Sequence, residues 1–248
     1  MLRNAFAYIT RKWPKSLLLF AIILLMGTLS LIGLSMKGAT QKASSESLGS
    51  ITNSFSMQIN RRTNPGTPRG AGNLRGEDIE KISQVEGITS SIKRINAIAD
   101  ILDHEIIETE ETLQNQSPER AKHFKNTLMV TGVNDSSKED KFVSGAYKLV
   151  QGEHRTGKDK NQILMHEDLA KKNGLKVGDK VRLKSNLYDA DNEKGANETV
   201  EVTIKGLFSG KNQAPLTYAQ ELYEDTLISD LDTAAKLYGN TVQTATYE

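Results

Sequence analysis

A long, uncharged apolar run near the N-terminus constrains this 248-residue chain more than any other feature. The run extends from Ser16 to Met36 and consists mainly of Leu, Ile, Ala, Phe, Gly and Met. At about 1.5 Å of rise per residue, a helix of this length spans roughly 30 Å, the hydrocarbon thickness of a bilayer. A helix also satisfies its own backbone hydrogen bonds in lipid. The sequence therefore predicts a transmembrane helix over residues 16–36.

The residues that flank this run predict its orientation. The first fifteen residues contain four basic side chains, no acidic one, and a tryptophan of the kind found at membrane interfaces: Arg3, Arg11, Lys12, Lys15 and Trp13. Only Lys37 and Lys42 stand close to the other end. The positive-inside rule then places the N-terminus in the cytoplasm and the main domain outside the plasma membrane, after a single pass. Residues 1–15 are predicted to form a cytoplasmic basic amphipathic segment.

A cleaved signal peptide is the alternative to a membrane anchor. The apolar core of a signal peptide usually spans about 7–15 residues and ends at a small-x-small cleavage site. The run here is longer and ends in Leu34-Ser35-Met36-Lys37-Gly38-Ala39, which is a poor cleavage site. Both differences favour a retained transmembrane helix.

Composition restricts what the part after the anchor does. Setting aside the four basic residues at the N-terminus turns the net charge of +1 into −3, so the exported part is mildly acidic. Because nucleic-acid binding needs a concentrated basic face, we expect no nucleic-acid partner. The sequence contains no cysteine, which excludes disulfides and thiol catalysis within it.

The rest of the chain alternates between strand and helix patterns. Residues 37–50 are predicted either to continue the membrane helix outward or to act as a tether, and residues 61–76 form a Gly- and Pro-rich loop. Helices are predicted from Gly76 to a glycine cap at Gly87, after Ser117, over 166–173, and after Ser229 or Asp230. Period-two or apolar runs predict strands over 51–60, 88–102, 127–133, 162–165, 181–187, 199–208, 225–228 and 241–247.

A nearly complete phosphate-loop pattern occurs at residues 152–159. Asp159 stands where the pattern needs a Ser or Thr hydroxyl to bind magnesium, and a strand follows instead of a helix. We therefore interpret this stretch as a basic surface turn bounded by glycine.

Two patterns that resemble metal sites also fail. His166-Glu167 starts like a zinc-protease helix, but residue 170, where the second histidine is required, is Ala. The acidic loop at residues 189–193 resembles a calcium loop, yet Lys194 replaces the required glycine. We predict no catalytic, cofactor-binding or metal-binding residue, no cofactor, and no enzyme activity in this chain.

Three residues are predicted to shape turns. Gly174 ends the helix over 166–173, where a left-handed backbone is favourable for glycine. Gly178 and Asp179 form the tight turn that precedes the strand at 181–187.

Five short motifs follow one another in a fixed order through this region. They are Val130-Thr131-Gly132-Val133, Gly152-Glu153-His154-Arg155, Leu169-Ala170, Val177-Gly178-Asp179 and Val202-Thr203-Ile204-Lys205-Gly206-Leu207. The series resembles the extracytoplasmic core domain of MacB-type and FtsX-like ABC transporter permeases, with its V-x-G strand, G-R turn, L-A helix, VGD turn and final glycine-containing strand. Gly152 is separated from Arg155 by two residues, a small departure from that pattern.

The resemblance implies an α+β fold in which one N-terminal transmembrane helix precedes a two-lobed extracytoplasmic domain. A stalk at 37–50 leads to a mixed α/β core lobe, made of residues 51–133 and 215–248. A small β-rich lobe over 134–214 is inserted in it. Such permeases continue into three further membrane helices, and this sequence stops within an alternating pattern. We therefore expect the core lobe to be incomplete and the C-terminal membrane helices to be missing.

The resemblance also implies function and partners. The leading hypothesis is a permease subunit, or its N-terminal fragment, of a MacB-like ABC exporter, whose outer domain couples ATP-driven motion to export or extracytoplasmic handling of a peptide, lipid or drug. Its partners are then a separate ABC ATPase subunit, a second permease copy or paralogue in a dimer, and the membrane. The alternative is a single-span, membrane-anchored extracytoplasmic sensor or binding protein without transport activity. An anchored enzyme is disfavoured because no catalytic motif is evident.

Overall fold

A computed structural model of the chain describes residues 13–51, 74–88, 90–211 and 221–247. The chain divides between residues 57 and 58 into an N-terminal unit and a larger C-terminal unit. The described helices are α1 (Trp13–Ile51), α2 (Gly76–Ser83), α3 (Glu110–Gln114), α4 (Pro118–His123), α5 (Asp140–Val143), α6 (Glu167–Lys172) and α7 (Leu231–Lys236). The described strands are β1 (Leu74–Arg75), β2 (Arg94–Leu102), β3 (Thr127–Val133), β4 (Lys148–Gly152), β5 (Gln162–His166), β6 (Lys180–Ser185), β7 (Thr199–Ser209), β8 (Thr226–Ser229) and β9 (Thr246–Tyr247).

The N-terminal unit contains the long helix α1. Its segment Trp13–Gly33 is long and apolar enough to cross a membrane, and none of that segment is buried. The helix continues without interruption to Ile51, so the polar stretch 37–50 is helical, as in the first of its two predicted alternatives, and its role as a stalk stays a prediction. Ile51 is helical, so the strand predicted from that residue does not begin there; the rest of that strand prediction, 52–60, and most of the predicted loop lie outside the described residues.

Six strands of the C-terminal unit close into a ring. Around it, β7 pairs with β5, β5 with β8, β8 with β3, β3 with β2, β2 with β6, and β6 returns to β7. The pairs β5–β7 and β3–β8 are parallel, and the other four are antiparallel. Strand β4 pairs with the end of β7, and β1 and β9 form a separate two-stranded sheet.

The main hydrophobic core is formed by one face of the ring strands together with α7. Strand β2 shows why, because its side chains alternate between partly exposed and buried, and the buried set is Ile95, Ala97, Ala99 and Ile101. Two of the buried positions are alanine, so the spacing of the isoleucines alone does not show the period of two. The observed strand begins at Arg94, later than predicted, and Ile92 is exposed.

A smaller aromatic core lies where α5 and β4 meet the end of β7. Tyr147, Leu164 and Phe208 are fully buried there, and Phe142 packs against them. The Tyr147 and Phe208 ring centroids are 4.5 Å apart, and Phe142 meets Tyr147 edge to face at 5.4 Å. Such ring pairs add about 0.5–1.5 kcal/mol beyond the area they bury.

Most of the other predicted elements are confirmed. Helix α4 starts with Pro118 after the predicted cap, Ser117, whose Oγ accepts from the Arg120 amide at 3.2 Å. Helix α7 is capped by Asp230, one of the two predicted candidates, and strand β3 has the predicted bounds.

The strand predicted over 241–247 is mostly wrong. Only Thr246 and Tyr247 are extended into a strand. Residues 241–245 form a turn because the Thr241 carbonyl accepts from the Ala245 amide at 2.8 Å, and the Thr241 and Thr244 side chains bond the backbone of this turn. Threonine hydroxyls compete in this way with strand pairing.

The segments predicted as two lobes share one ring. Strands β2, β3 and β8 come from the predicted core lobe, and β5, β6 and β7 come from the predicted inserted lobe. The α+β class is confirmed, and the lobe boundaries at 133/134 and 214/215 stay a prediction. In the described structure, hydrogen-bonded strand pairs and one hydrophobic core join the segments on both sides of them.

The burial of Leu183 inside the closed ring predicts that Leu183→Ala strongly destabilises the domain. Leu183 on β6 is 0% exposed, and removing a buried leucine side chain should lower the free energy of unfolding by about 2–5 kcal/mol. Leu187, just beyond the same strand, is 51% exposed, so Leu187→Ala is the matched control and should change it by less than about 0.5 kcal/mol. Chemical denaturation of the full chain in detergent micelles measures both; equal losses would contradict the assigned packing.

Candidate functional site

The start of α1 carries the described part of the predicted membrane interface. Trp13 and Lys15 are both exposed there, in the first turn of the segment Trp13–Gly33. An exposed tryptophan and a lysine at the end of an apolar helix suit the boundary between lipid and water. Arg3, Arg11 and Lys12 lie outside the described residues, and their role in topology stays a prediction.

The turn around Gly178 lies between α6 and β6 in the chain and is hydrogen-bonded to β7. Gly174 and Gly178 have φ of +65° and +97°. The Gly178 amide donates to the Ile204 carbonyl at 2.8 Å, and the Ile204 amide donates to the Asp179 carbonyl at 2.9 Å. The Asp179 carboxylate accepts from the Lys176 amide at 2.9 Å, which closes the turn. This turn therefore positions the start of β6 against the middle of β7.

The loop that resembles a phosphate-binding loop is folded around its own carboxylate. Asp159 accepts from the Thr156 amide at 2.7 Å and from the Thr156 hydroxyl at 3.0 Å, and Lys205 lies 2.8 Å from the same oxygen. The hydrogen bond from Lys205 is the main reason that the pKa of Asp159 is lowered to about 2. A permanent carboxylate at this point repels phosphate, so the loop is unsuited to nucleotide binding.

Most of that loop is exposed, as predicted for a surface turn, but the side chain of Arg155 is only 1% exposed. Its Nη1 donates to the carbonyls of Thr156 and Asp159 at 2.9 and 3.2 Å, and its Nη2 donates to the Val133 carbonyl. Burial lowers the pKa of Arg155, and Asp230 opposes this effect. The guanidinium thus ties the loop to the end of β3. The only sequence signal for this role is the position of Arg155 in the glycine–arginine motif.

The histidine and acidic patterns that resembled metal sites are engaged within the chain. His166 uses both ring nitrogens, since Nε2 donates to the Gly210 carbonyl at 2.9 Å and Nδ1 accepts from the Asp168 amide at 3.1 Å. Asp189 accepts from the Tyr238 hydroxyl. Among the residues that the structure describes, no group of three or more His, Cys, Asp or Glu side chains is arranged to hold a metal ion.

Two grooves with charged residues in their lining lie on the surface of the described domain. The larger, about 810 Å³, has Lys148, Lys211 and Glu167 in its lining, and the smaller, about 520 Å³, includes Lys160 and Asp232, which pair with each other. Because each groove mixes opposite charges, neither defines the charge or polarity of a ligand.

An apolar span followed by an α+β domain defines a membrane-anchored protein whose main part lies outside the lipid. The family model described as the MacB-like periplasmic core domain matches residues 16–246, which include both the apolar span and nearly all of the domain. The chain belongs to this family. It is a MacB/FtsX-like ABC transporter permease component with an N-terminal helix and an extracytoplasmic domain, which confirms the resemblance found in the motifs.

Comparisons with individual proteins add little to the family match. No sequence of a curated protein matches the chain. Among solved structures, the extracellular domain of the noncanonic ABC-type transporter YknZ from Gram-positive bacteria is similar to it at 14% identity and a TM-score of 0.37. That similarity covers 78% of this chain and 77% of the YknZ chain. A TM-score this low does not establish a shared fold.

The positive φ of Gly178 predicts a loss of stability in Gly178→Val. No atom lies within 4 Å of the place that a β-carbon would occupy, so the cost comes from backbone strain alone. That strain is about 1–3 kcal/mol for a β-branched residue, and the Tm of the full chain should fall accordingly. Gly178→Asn is the matched control and should lose less, because Asn tolerates positive φ better. Equal Tm values for Gly178→Val and the unaltered chain would contradict the strained turn.

Proposed function

We propose that the chain is the permease subunit of a MacB-like ABC exporter, or its N-terminal part. In this proposal, ATP-driven motion of a separate ATPase subunit moves the outer domain, and that movement exports or hands on a peptide, lipid or drug. The observation that carries the proposal is the family match over residues 16–246, because it includes the membrane segment as well as the outer domain.

The closed ring supports a mechanical role for the domain. A sheet without open edges around the ring and a close-packed core deform little, so such a domain moves as a body. The described residues show no cluster suited to metal chemistry, and their grooves do not define a ligand. Coupling of the domain's movement to transport needs neither a metal site nor a ligand-binding groove.

The same proposal includes a dimer and a fixed orientation. A second permease copy or paralogue completes the membrane part, the N-terminus is cytoplasmic, and the domain is extracellular or periplasmic. The four basic residues that precede the span support this orientation, because positive charges are retained on the cytoplasmic side.

Charge reversal at Arg11, Lys12 and Lys15 tests the orientation. Since the chain has no cysteine, Leu187→Cys introduces a single thiol at an exposed position of the domain. A membrane-impermeant maleimide should label it in intact cells. Changing the three basic residues to Glu should reduce that labelling, because the positive flank is lost. The double variant Lys37→Glu with Lys42→Glu is the control on the other flank and should preserve the maleimide labelling. Undiminished labelling of the triple variant would refute the proposed orientation.

Co-purification from membranes tests the permease function. An affinity-tagged full chain is extracted in detergent, and its partners are probed with a photoreactive ATP analogue and by ATP hydrolysis. We expect a separate ATP-labelled polypeptide whose hydrolysis depends on this chain. The charge-reversed variant is the matched control, since it keeps the domain and should lose the partner.

The opposite outcome is equally clear. A correctly oriented chain that purifies without an ATP-labelled partner, and whose deletion leaves membrane ATP hydrolysis unchanged, would contradict the permease proposal. That result would favour the anchored sensor or binding protein.

A further inference from the structure

The segment between β2 and α3, residues 103–109, is neither strand nor helix and is called the strap here. Its side chain Ile106 is 3% exposed and belongs to the main core, and Ile107 packs against the same core. Among the described residues, no main-chain hydrogen bond joins residues 103–108 to a strand or helix. The strap is held by side chains instead.

Two of these side chains come from the end of α6. The amide of Asn173 forms a double contact with Glu105, since its Oδ1 accepts from the Glu105 amide at 2.9 Å and its Nδ2 donates to the Glu105 carbonyl at 2.8 Å. Lys172 Nζ donates to the Ile106 carbonyl at 2.7 Å. These contacts are exposed or only partly buried.

The contact with Asp225 is different because it uses a fully buried carboxyl group. Asp225, which directly precedes β8, is 0% exposed. Its Oδ1 accepts from the Ile107 amide at 2.7 Å, whereas Oδ2 is buried without a hydrogen-bond partner among the described residues. A carboxyl group in this setting is stable when neutral and costly when ionised.

The charged groups around Asp225 come from each element that packs against it. Burial is the main cause that raises the pKa of Asp225 to about 8, and the Ile107 amide lowers it. Glu224 and the strap residue Glu108 raise it further, whereas Lys172 of α6 lowers it. Glu224 Oε2 is itself buried without a partner among the described residues, so a second negative charge adjoins the site.

We propose that Asp225 is a proton-dependent latch, which holds the strap 103–109 on the domain while its carboxyl is neutral and releases the strap when it ionises. Release frees the Ile107 amide and exposes the apolar side chains of Ile106 and Ile107 to solvent. The outer domain thereby acquires an apolar surface that depends on external pH.

The direction of the pH effect follows from proton linkage. In the released strap, Asp225 returns toward its ordinary pKa of 3.8, so the released state binds fewer protons than the latched state between that value and about 8. Latching is therefore strongest below about pH 4, and its equilibrium constant falls by about tenfold per pH unit as the pH rises toward 8. Above about pH 8 both states are ionised and the equilibrium no longer changes.

Hydrogen exchange of the full chain in detergent micelles tests the latch. The readout is the protection of the Glu105 and Ile107 amides, each corrected for its intrinsic exchange rate at that pH. We expect this protection to fall by about tenfold per unit between pH 5 and 7 and to level off above about pH 8. The amide of Ile163 on β5 serves as the internal reference and should keep its protection.

Two variants separate the latch from a general loosening of the strap. Asp225→Asn keeps an oxygen that accepts from the Ile107 amide but cannot ionise. In this variant the protection of the Glu105 and Ile107 amides should be independent of pH. Asn173→Ala breaks the neighbouring contact, so it should lower protection at every pH and keep the slope. A flat profile in the unaltered chain, or the same slope in Asp225→Asn, would overturn the proposal.

A further variant covers the case in which Asp225→Asn does not fold. Glu224→Gln removes a negative charge next to Asp225, so the levelling of the profile should move to lower pH. An unshifted profile in Glu224→Gln would also overturn the proposal, since Asp225 would then not be the group that titrates.

Discussion

The pairing of β7 on both of its edges is the constraint on which the domain depends. One edge pairs with β5, while the other pairs first with β6 and then with β4. The change of partner occurs near Gly206, which lies opposite Gly152. A β-carbon on Gly152 would lie 2.2 Å from the Lys205 carbonyl oxygen, and one on Gly206 would lie 2.9 Å from that of Gln151. The two glycines thus allow the close backbone approach between β4 and the end of β7, beyond the residues of β7 that pair with β6 to close the ring.

Buried ionisable side chains join irregular segments to this ring. Arg155 binds three carbonyl oxygens and attaches the loop after β4 to the end of β3. Asp225 attaches the strap after β2. Extended segments with few main-chain partners need such contacts, because a buried amide or carbonyl without a partner costs about 1–3 kcal/mol. The ring therefore provides the shape of the domain, and buried polar side chains position the segments around it.

Local signals in the sequence predicted most elements but not their assembly. Pro118 after Ser117, Asp230 before an apolar run, and the glycine at 174 each act within a few residues, so their effects are visible in the sequence. Ring closure depends on pairs such as Leu102 with Arg182, which lie far apart in the chain. The predicted lobes followed sequence order, and the pairings of β5 with β8 and of β2 with β6 join strands of both segments into one ring. Arg155 and Asp225 were missed for a related reason, since their burial depends on distant segments and charged residues are usually exposed.

The position of β8 sets the order in which the domain is completed. This strand lies between β5 and β3 and is buried at all four residues, yet it is the last ring strand along the chain. Synthesis proceeds from the N-terminus, so β3 and β5 each keep an unpaired edge until residues 226–229 have emerged. Unpaired strand edges promote association between chains, and long-range pairing slows folding. In a newly made chain the edges that pair with β8 therefore stay open to association until β8 has been synthesised.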